Sequence, residues 1–191
     1  NLDIIKLLIE NGADVNCNDG LTPLSITYSS KVDNWYVISQ ILIKNGASLN
    51  YTTEYSGEKS SVLQDIVQNR PGSSLPGYEP DNNEEVIKSF NYALENCDRD
   101  IVNWMQVLQN SVSNNRIEIV KLLLEQNYCD VNDTTVGVTA LMFATRDANF
   151  EMVKFLLDYG ADKSIKSSDG KTAYDYALES GDEDIISILE D

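Results

Sequence analysis

The chain has no histidine in its 191 residues. Imidazole is therefore excluded as general base, nucleophile or metal ligand, and with it the Ser-His and Cys-His pairs on which most familiar hydrolases depend. Cysteine is scarce. Cys17, Cys97 and Cys129 are an odd number at unrelated spacings, which fits neither a disulfide framework nor the paired C-x-x-C ligands of a zinc site. A reducing, cytoplasmic setting is the expectation. No run of roughly eighteen apolar residues is present to span a membrane. The N-terminal Asn-Leu-Asp-Ile-Ile lacks a basic region followed by an apolar run and a cleavage site, so a soluble chain without a leader is expected. Basic residues are few, 14 against 31 acidic ones for a net charge of -17. They form no patch able to neutralise phosphates, which argues against nucleic acid as a ligand.

What the sequence does hold is a core's worth of apolar residues, 42% of the chain, arranged at a fixed interval. Ile119, Met152 and Ile185 lie 33 residues apart, as do Leu123, Leu156 and Leu189. Leu108 and Leu141, Thr139 and Thr172, and Gly137 and Gly170 repeat the spacing. Near the start the interval is 34, taking Ile4 to Ile38, Leu8 to Leu42 and Gly12 to Gly46.

Each period has a physical reading. Leu2 to Glu10 carries Ile4, Ile5, Leu8 and Ile9 on one helical stripe, and Asn11-Gly12 ends it with a residue that tolerates a left-handed backbone. The same grammar recurs in Ile117 to Glu125 and in Phe150 to Asp158, the latter closed by Gly160. A short turn follows, clearest in Ser167-Ser168-Asp169-Gly170, and then Thr172, whose hydroxyl can cap the next helix. The unit is turn, helix, helix.

Asn11-Gly12-Ala13-Asp14-Val15-Asn16 and Asp19-Gly20-Leu21-Thr22-Pro23-Leu24 resemble the signature of the ankyrin repeat, and Asp169-Gly170-Lys171-Thr172-Ala173-Tyr174 is a looser copy. The resemblance covers residues 1 to 50 and 104 to 191 well and the middle poorly. It implies an all-α solenoid of stacked helix-turn-helix units with projecting turns and a concave binding face. The chain divides as a single domain into a partial unit at 1–16 and units at 17–50, 51–98, 99–132, 133–164 and 165–191.

The departures are informative. The histidine that the family usually carries after Thr-Pro-Leu is Ser25, Gln109, Met142 and Asp175 here, which implies a weaker stack and not another fold. The loop between Tyr28 and Val37 is about three residues longer than the family's spacing and carries Trp35 and Tyr36, an aromatic pair that needs a cover or a partner. In the third unit Ser61-Val62-Leu63 stands in for Thr-Pro-Leu. Then 68–83 interrupts, with Pro71, Pro76 and Pro80, three of the chain's four prolines, which resist helix. Glu84-Glu85 opens the second helix of that unit, with Val86, Ile87, Phe90, Ala93 and Leu94 on its apolar stripe. A loop of that length is either a tolerated insertion or a binding element, with Tyr78 the residue to test. Residue 1 falls at the start of a second helix, so a longer protein is expected. The acidic last unit reads as a natural cap or an artificial end.

Other groupings have bland readings. Asp98, Asp100 and Asp182-Glu183-Asp184 lack the spacing and central glycine of a calcium loop and suit solvated helix starts. No metal or cofactor is expected. Cys129 has no nearby basic residue in sequence and reads as an inert thiol. An enzyme would have to use carboxylates with Tyr55 or Tyr78 near the insertion, and no spacing supports that.

The resemblance implies that turn tips and the exposed sides of the first helices bind a protein partner. Carried over residue by residue, it singles out Asn18, Asp19, Leu21, Val136, Val138, Ser168, Asp169 and Lys171 on the turns. On the first helices it adds Ser29, Ser30, Arg146, Asp147, Glu179 and Ser180. Trp35, Tyr36 and Tyr78 join them from the loops. Leu21 and Val138 are either interface anchors or residues packed on the next turn. The acidic balance serves solubility and would also steer basic partners. The expectation is a monomeric, non-enzymatic binding module. One variant is an acidic inhibitor or immunity protein masking a basic toxin; another is a targeting module of a larger effector or signalling chain.

Overall fold

The computed structural model describes residues 2–17, 22–29, 34–52, 59–68, 83–97 and 99–190, and in it the apolar stripes become the facing sides of paired helices. The chain divides into two bodies, residues 1–103 and 104–191.

In the N-terminal body α1 is Leu2–Glu10, α2 Pro23–Ser29, α3 Trp35–Lys44, α4 Val62–Gln68 and α5 Asn83–Asn96, followed by a 3-10 turn at Arg99–Ile101. Pro23 opens α2, where its missing N–H has no helical partner to lose. Before it Thr22 takes the cap: the Ser25 amide donates to Thr22 Oγ1 at 3.1 Å and the Ser25 hydroxyl donates to the Thr22 carbonyl at 2.9 Å. Ser61 plays the same part for α4, accepting from the Leu63 amide at 3.3 Å while Gln64 Oε1 accepts from the Ser61 amide at 3.2 Å. The helices pack as pairs, α2 on α3 and α4 on α5, and the pairs stack, α2 on α4 and α3 on α5. Leu24, Tyr28, Leu63, Ile66, Val86 and Phe90 are fully or almost fully buried between them.

Two features of this body depart from the sequence reading. A short antiparallel pair, β1 (Asn50–Thr52) with β2 (Lys59–Ser61), joins Asn50 to Ser61 and Thr52 to Lys59; it is the only sheet among the described residues and leaves the all-α class intact. The pair Trp35 and Tyr36 belongs to the first turn of α3 and not to the preceding loop. Trp35 is only 9% exposed and lies against Tyr28 with ring centroids 5.7 Å apart. Trp35 in the first turn of α3 thus closes over α2, so the cover it needs comes from its own chain.

In the C-terminal body three helix pairs follow at the interval read from the sequence: α6 (Trp104–Ser113) with α7 (Ile117–Glu125), α8 (Ala140–Arg146) with α9 (Phe150–Asp158), and α10 (Ala173–Ser180) with α11 (Glu183–Glu190). The first helices stack in order, α6 on α8 on α10. Ile119, Leu123, Met152, Leu156 and Ile185 are at most 2% exposed, each side chain contributing about 1.5–3 kcal/mol by leaving water.

The caps explain where these helices begin. Thr139 accepts from the Met142 amide at 3.3 Å and Thr172 from the Asp175 amide at 3.3 Å, satisfying amides that have no partner within the helix. The residues that replace the family's histidine return the contact: Asp175 Oδ2 accepts from the Thr172 amide and hydroxyl at 2.7 and 2.8 Å, and Met142 sulfur accepts from the Thr139 amide at 3.4 Å. The cap is retained without an imidazole. Between the two helices of each repeat the chain turns through a left-handed residue, Asn115 (φ 53°), Ala148 (φ 51°) and Gly181 (φ 75°), one period apart. The asparagine of the signature ties neighbouring repeats together. Asn16 donates to the Gly46 carbonyl at 2.9 Å and accepts from the Ser48 amide at 2.7 Å, and Asn132 does the same to Gly160 and Asp162 at 3.3 and 2.8 Å.

Candidate partner-binding face

The turn tips and first helices of the last two repeats stand side by side, α8 packed on α10 with equivalent residues 33 positions apart. The tips are joined directly: the Ser168 amide donates to the Gly137 carbonyl at 2.8 Å. A Cβ at Gly137 would stand 3.0 Å from Ser168 Oγ, and the residue has φ +84°, so both the close approach and the backbone require glycine there. Val136 at the tip is 44% exposed and Val138 half-buried. Ser168 and Asp169 are exposed, as are Arg146, Asp147, Glu179 and Ser180 at the ends of the first helices.

Between α8 and α10 lies a dimple lined by Val138, Met142, Phe143, Arg146 and Tyr176. Its free volume is about 20 Å³, room for the tip of one side chain, whereas sites for cofactors and small substrates start at about 300 Å³. Phe143 and Tyr176 occupy the same position of successive repeats and are half-buried. Each sits beneath a cation: the Arg146 guanidinium is 4.8 Å from the Phe143 ring centre and Lys171 Nζ is 5.5 Å from that of Tyr176. Each cation meets a carboxylate, Arg146 with Asp147 at 3.4 Å and Lys171 with Glu179 at 2.6 Å. The Glu179 contact holds the Lys171 ammonium above its ordinary range. Such exposed pairs contribute little stability and serve to fix which charge stands where.

The structure therefore brings together Val136, Val138, Arg146, Asp147, Ser168, Asp169, Lys171 and Glu179 on one strip of one body. Ser180 lies at the end of the same helix, its hydroxyl donating to the Ala177 carbonyl at 2.9 Å. Phe143 and Tyr176 were not among the expected residues; the signal for them is two aromatics one period apart, four residues after each capping threonine. Trp35 is buried within its own body, and Tyr36 is half-buried with its hydroxyl accepting from Gln40 Nε2 at 3.0 Å. Asn18, Asp19, Leu21, Ser30 and Tyr78 lie outside the described residues, as do Tyr55 and the side chain of Ser29.

A wider depression of about 380 Å³, open to solvent, is lined by Leu124, Asn127, Cys129, Asp130, Val131 and Tyr159. Its chemistry is quiet. Burial, with a further push from Asp133, raises the Cys129 thiol to about 12, and its sulfur donates to the Trp104 carbonyl at 3.4 Å. It is protonated at neutral pH and is no nucleophile. Tyr28 is likewise pushed up to about 12 by burial. Among the described residues no group of three or more carboxylates or cysteines could hold a metal ion, and no helix is long and apolar enough to cross a membrane.

A family model described as ankyrin repeats in three copies matches residues 80–167 and 108–191, more than half of the chain. The chain is 28% identical over 195 residues to a probable serine/threonine-protein kinase of Dictyostelium discoideum, covering 98% of this chain and 22% of that protein. It is 41% identical over 71 residues to the ankyrin repeat and SAM domain-containing protein 6 of Rattus norvegicus, covering 36% of this chain and 8% of the relative. It thus spans less than a quarter of the length of these two relatives. Among solved structures the ankyrin repeat protein EF0377 superposes with a TM-score of 0.70 at 27% identity, over 99% of this chain and 90% of that one. Ankyrin repeats are generally protein–protein interaction modules. The matched repeats, the threonine caps and the likeness to EF0377 agree: this chain belongs to the ankyrin repeat family.

Proposed function

We propose that this chain is a non-enzymatic binding module that takes a partner protein across its turn tips and first helices. The observation that carries the reading is the strip of Val136, Val138, Phe143 and Tyr176, an apolar line rimmed by the ion pairs Arg146–Asp147 and Lys171–Glu179. A centre of apolar and aromatic side chains inside a polar rim is the anatomy of a protein interface. The net charge of -17 favours a basic partner and speeds encounter with it. We assign the module to the cytoplasm, in keeping with three cysteines that form no disulfide, and expect it to act as a monomer.

The test is quantitative capture of proteins from source-cell lysate by the purified chain at low and high salt, with Val138→Glu as the control. A specific partner that is lost with Val138→Glu and weakened by salt supports the reading. A partner indifferent to both, or none at all, refutes it. The charge also favours the narrower reading of an inhibitor masking a basic toxin. A second reading, a targeting module within a larger effector or signalling chain, rests on the small share that the chain spans of its relatives, 8% and 22%. An inhibitor acts alone in a toxin-neutralisation assay, whereas a targeting module does not.

A further inference from the structure

We propose that the dimple between α8 and α10 seats one aliphatic or aromatic side chain of a partner segment, and that its rim selects a lysine or arginine beside that side chain. The inference rests on the protein-binding reading and specifies what is bound. The floor is apolar and aromatic, Val138, Met142, Phe143 and Tyr176, and its free volume of about 20 Å³ admits one side-chain tip. Phe143 and Tyr176 are half-buried, so part of each ring stays open to a further contact. A ring of either kind accepts a cation or an apolar group on its face.

The rim decides the charge. Its two cations are committed, Arg146 to Asp147 and Lys171 to Glu179, and each also lies over a ring of the floor. Asp169, exposed at the turn tip, accepts from the Ser168 hydroxyl at 3.5 Å and also acts on the nearby Lys171 charge. An incoming carboxylate would have to compete with Glu179 for Lys171 at 2.6 Å, and would do so in the field of a chain carrying -17. An incoming ammonium or guanidinium meets a rim whose three carboxylates, Asp147, Asp169 and Glu179, outnumber its two cations, and it gains from the same field. Complementarity of charge therefore fits a basic residue next to the anchor, in a segment of a partner protein.

The experiment selects a random dodecapeptide phage library on the immobilised chain. Enriched peptides are then measured by fluorescence anisotropy on the wild type, on Val138→Glu and on Glu179→Lys, and mapped by amide chemical shifts on the labelled protein. Enrichment of an aliphatic or aromatic residue adjacent to Lys or Arg is expected, with shifts centred on Phe143 and Tyr176. Affinity should fall at least about tenfold on Val138→Glu, the scale of an interface anchor. Glu179→Lys, at an exposed position, should weaken basic peptides and spare neutral ones, and it tests the rim even if Val138→Glu fails to fold. Acidic or charge-indifferent peptides, affinities unchanged on both variants, or no enrichment overturn the proposal. Peptides that bind elsewhere on the chain sink this seat while leaving the protein-binding reading intact; that reading falls only with the failure of protein capture from lysate.

Discussion

Helices α1 and α9 are written in the same grammar and meet different fates. Ile4, Leu8 and Gly12 stand to α1 as Met152, Leu156 and Gly160 stand to α9, yet Ile4 and Leu8 are 56% and 55% exposed while Met152 and Leu156 are fully buried. The difference is α8, which packs along α9 and covers its stripe, whereas α1 packs chiefly on α3 and buries no residue. Amphipathic spacing tells which side of a helix is apolar. It does not tell whether that side is covered, because cover is supplied by another segment.

The comparison can be broken most decisively at its matched leucines. Leu156→Ala empties a fully enclosed site and should cost about 2–5 kcal/mol, whereas Leu8→Ala should stay within about 0.5 kcal/mol. The two tryptophans allow each body to be read alone, since Trp35 lies in one and Trp104 in the other. Urea unfolding followed through Trp104 in a Trp35→Phe background reports Leu156→Ala, and the reverse background reports Leu8→Ala. Equal losses for the two would mean that α1 is covered after all.

A smaller effect tests the threonine cap of α10. Thr172→Ala removes the oxygen that accepts from the Asp175 amide and the hydroxyl that donates to the Asp175 carboxylate, and should cost about 1 kcal/mol. Thermal unfolding of Thr172→Ala through Trp104 checks this, and an unchanged midpoint would show that the cap is redundant with packing.

The sequence made the repeat legible because its signals are local: a threonine before the first helix, a stripe at helical spacing, a glycine after the second. These positions depend on backbone geometry that any one repeat determines by itself. What was not legible depends on contacts across repeats. Trp35 and Tyr36 look like loop residues because the interval is stretched there, and only the packing of Trp35 on Tyr28 reveals an earlier start for α3. The β1–β2 pair is a meeting of two segments with no alternating apolar pattern. Phe143 and Tyr176 carry no motif of their own and gain meaning as neighbours only once α8 and α10 are stacked.

Position 148 was invisible for another reason. Ala148 holds φ 51° where the next repeat has Gly181 and the preceding one Asn115, and nothing in an alanine advertises a left-handed backbone. Glycine should relieve that strain, so Ala148→Gly is expected to stabilise the C-terminal body by about 0.5–1 kcal/mol despite glycine's greater freedom when unfolded. The exposed side chain gives up no packing. A lowered melting temperature would mean that the unfolded-state entropy outweighs the strain.

The finest distinction lies among the caps, because only one of the three threonine caps titrates. The position that returns the contact is Ser25 in α2, Met142 in α8 and Asp175 in α10, and of these only the carboxylate responds to pH. Asp175 is held below the usual carboxylate range, first by the Thr172 amide and then by its hydroxyl. A carboxylate that is more acidic folded than unfolded stabilises the fold fully above its unfolded value and loses that contribution as pH falls through the folded one. Acid should therefore loosen α10 through its cap while leaving the caps of α2 and α8 untouched. Asp175→Asn keeps an acceptor oxygen and removes the proton equilibrium. Its melting temperature should start lower than the wild type at about pH 7 and fall less by about pH 3, so that the two curves converge. Parallel curves would mean that the carboxylate contributes the same in both states and that the cap works through the Thr172 hydroxyl alone.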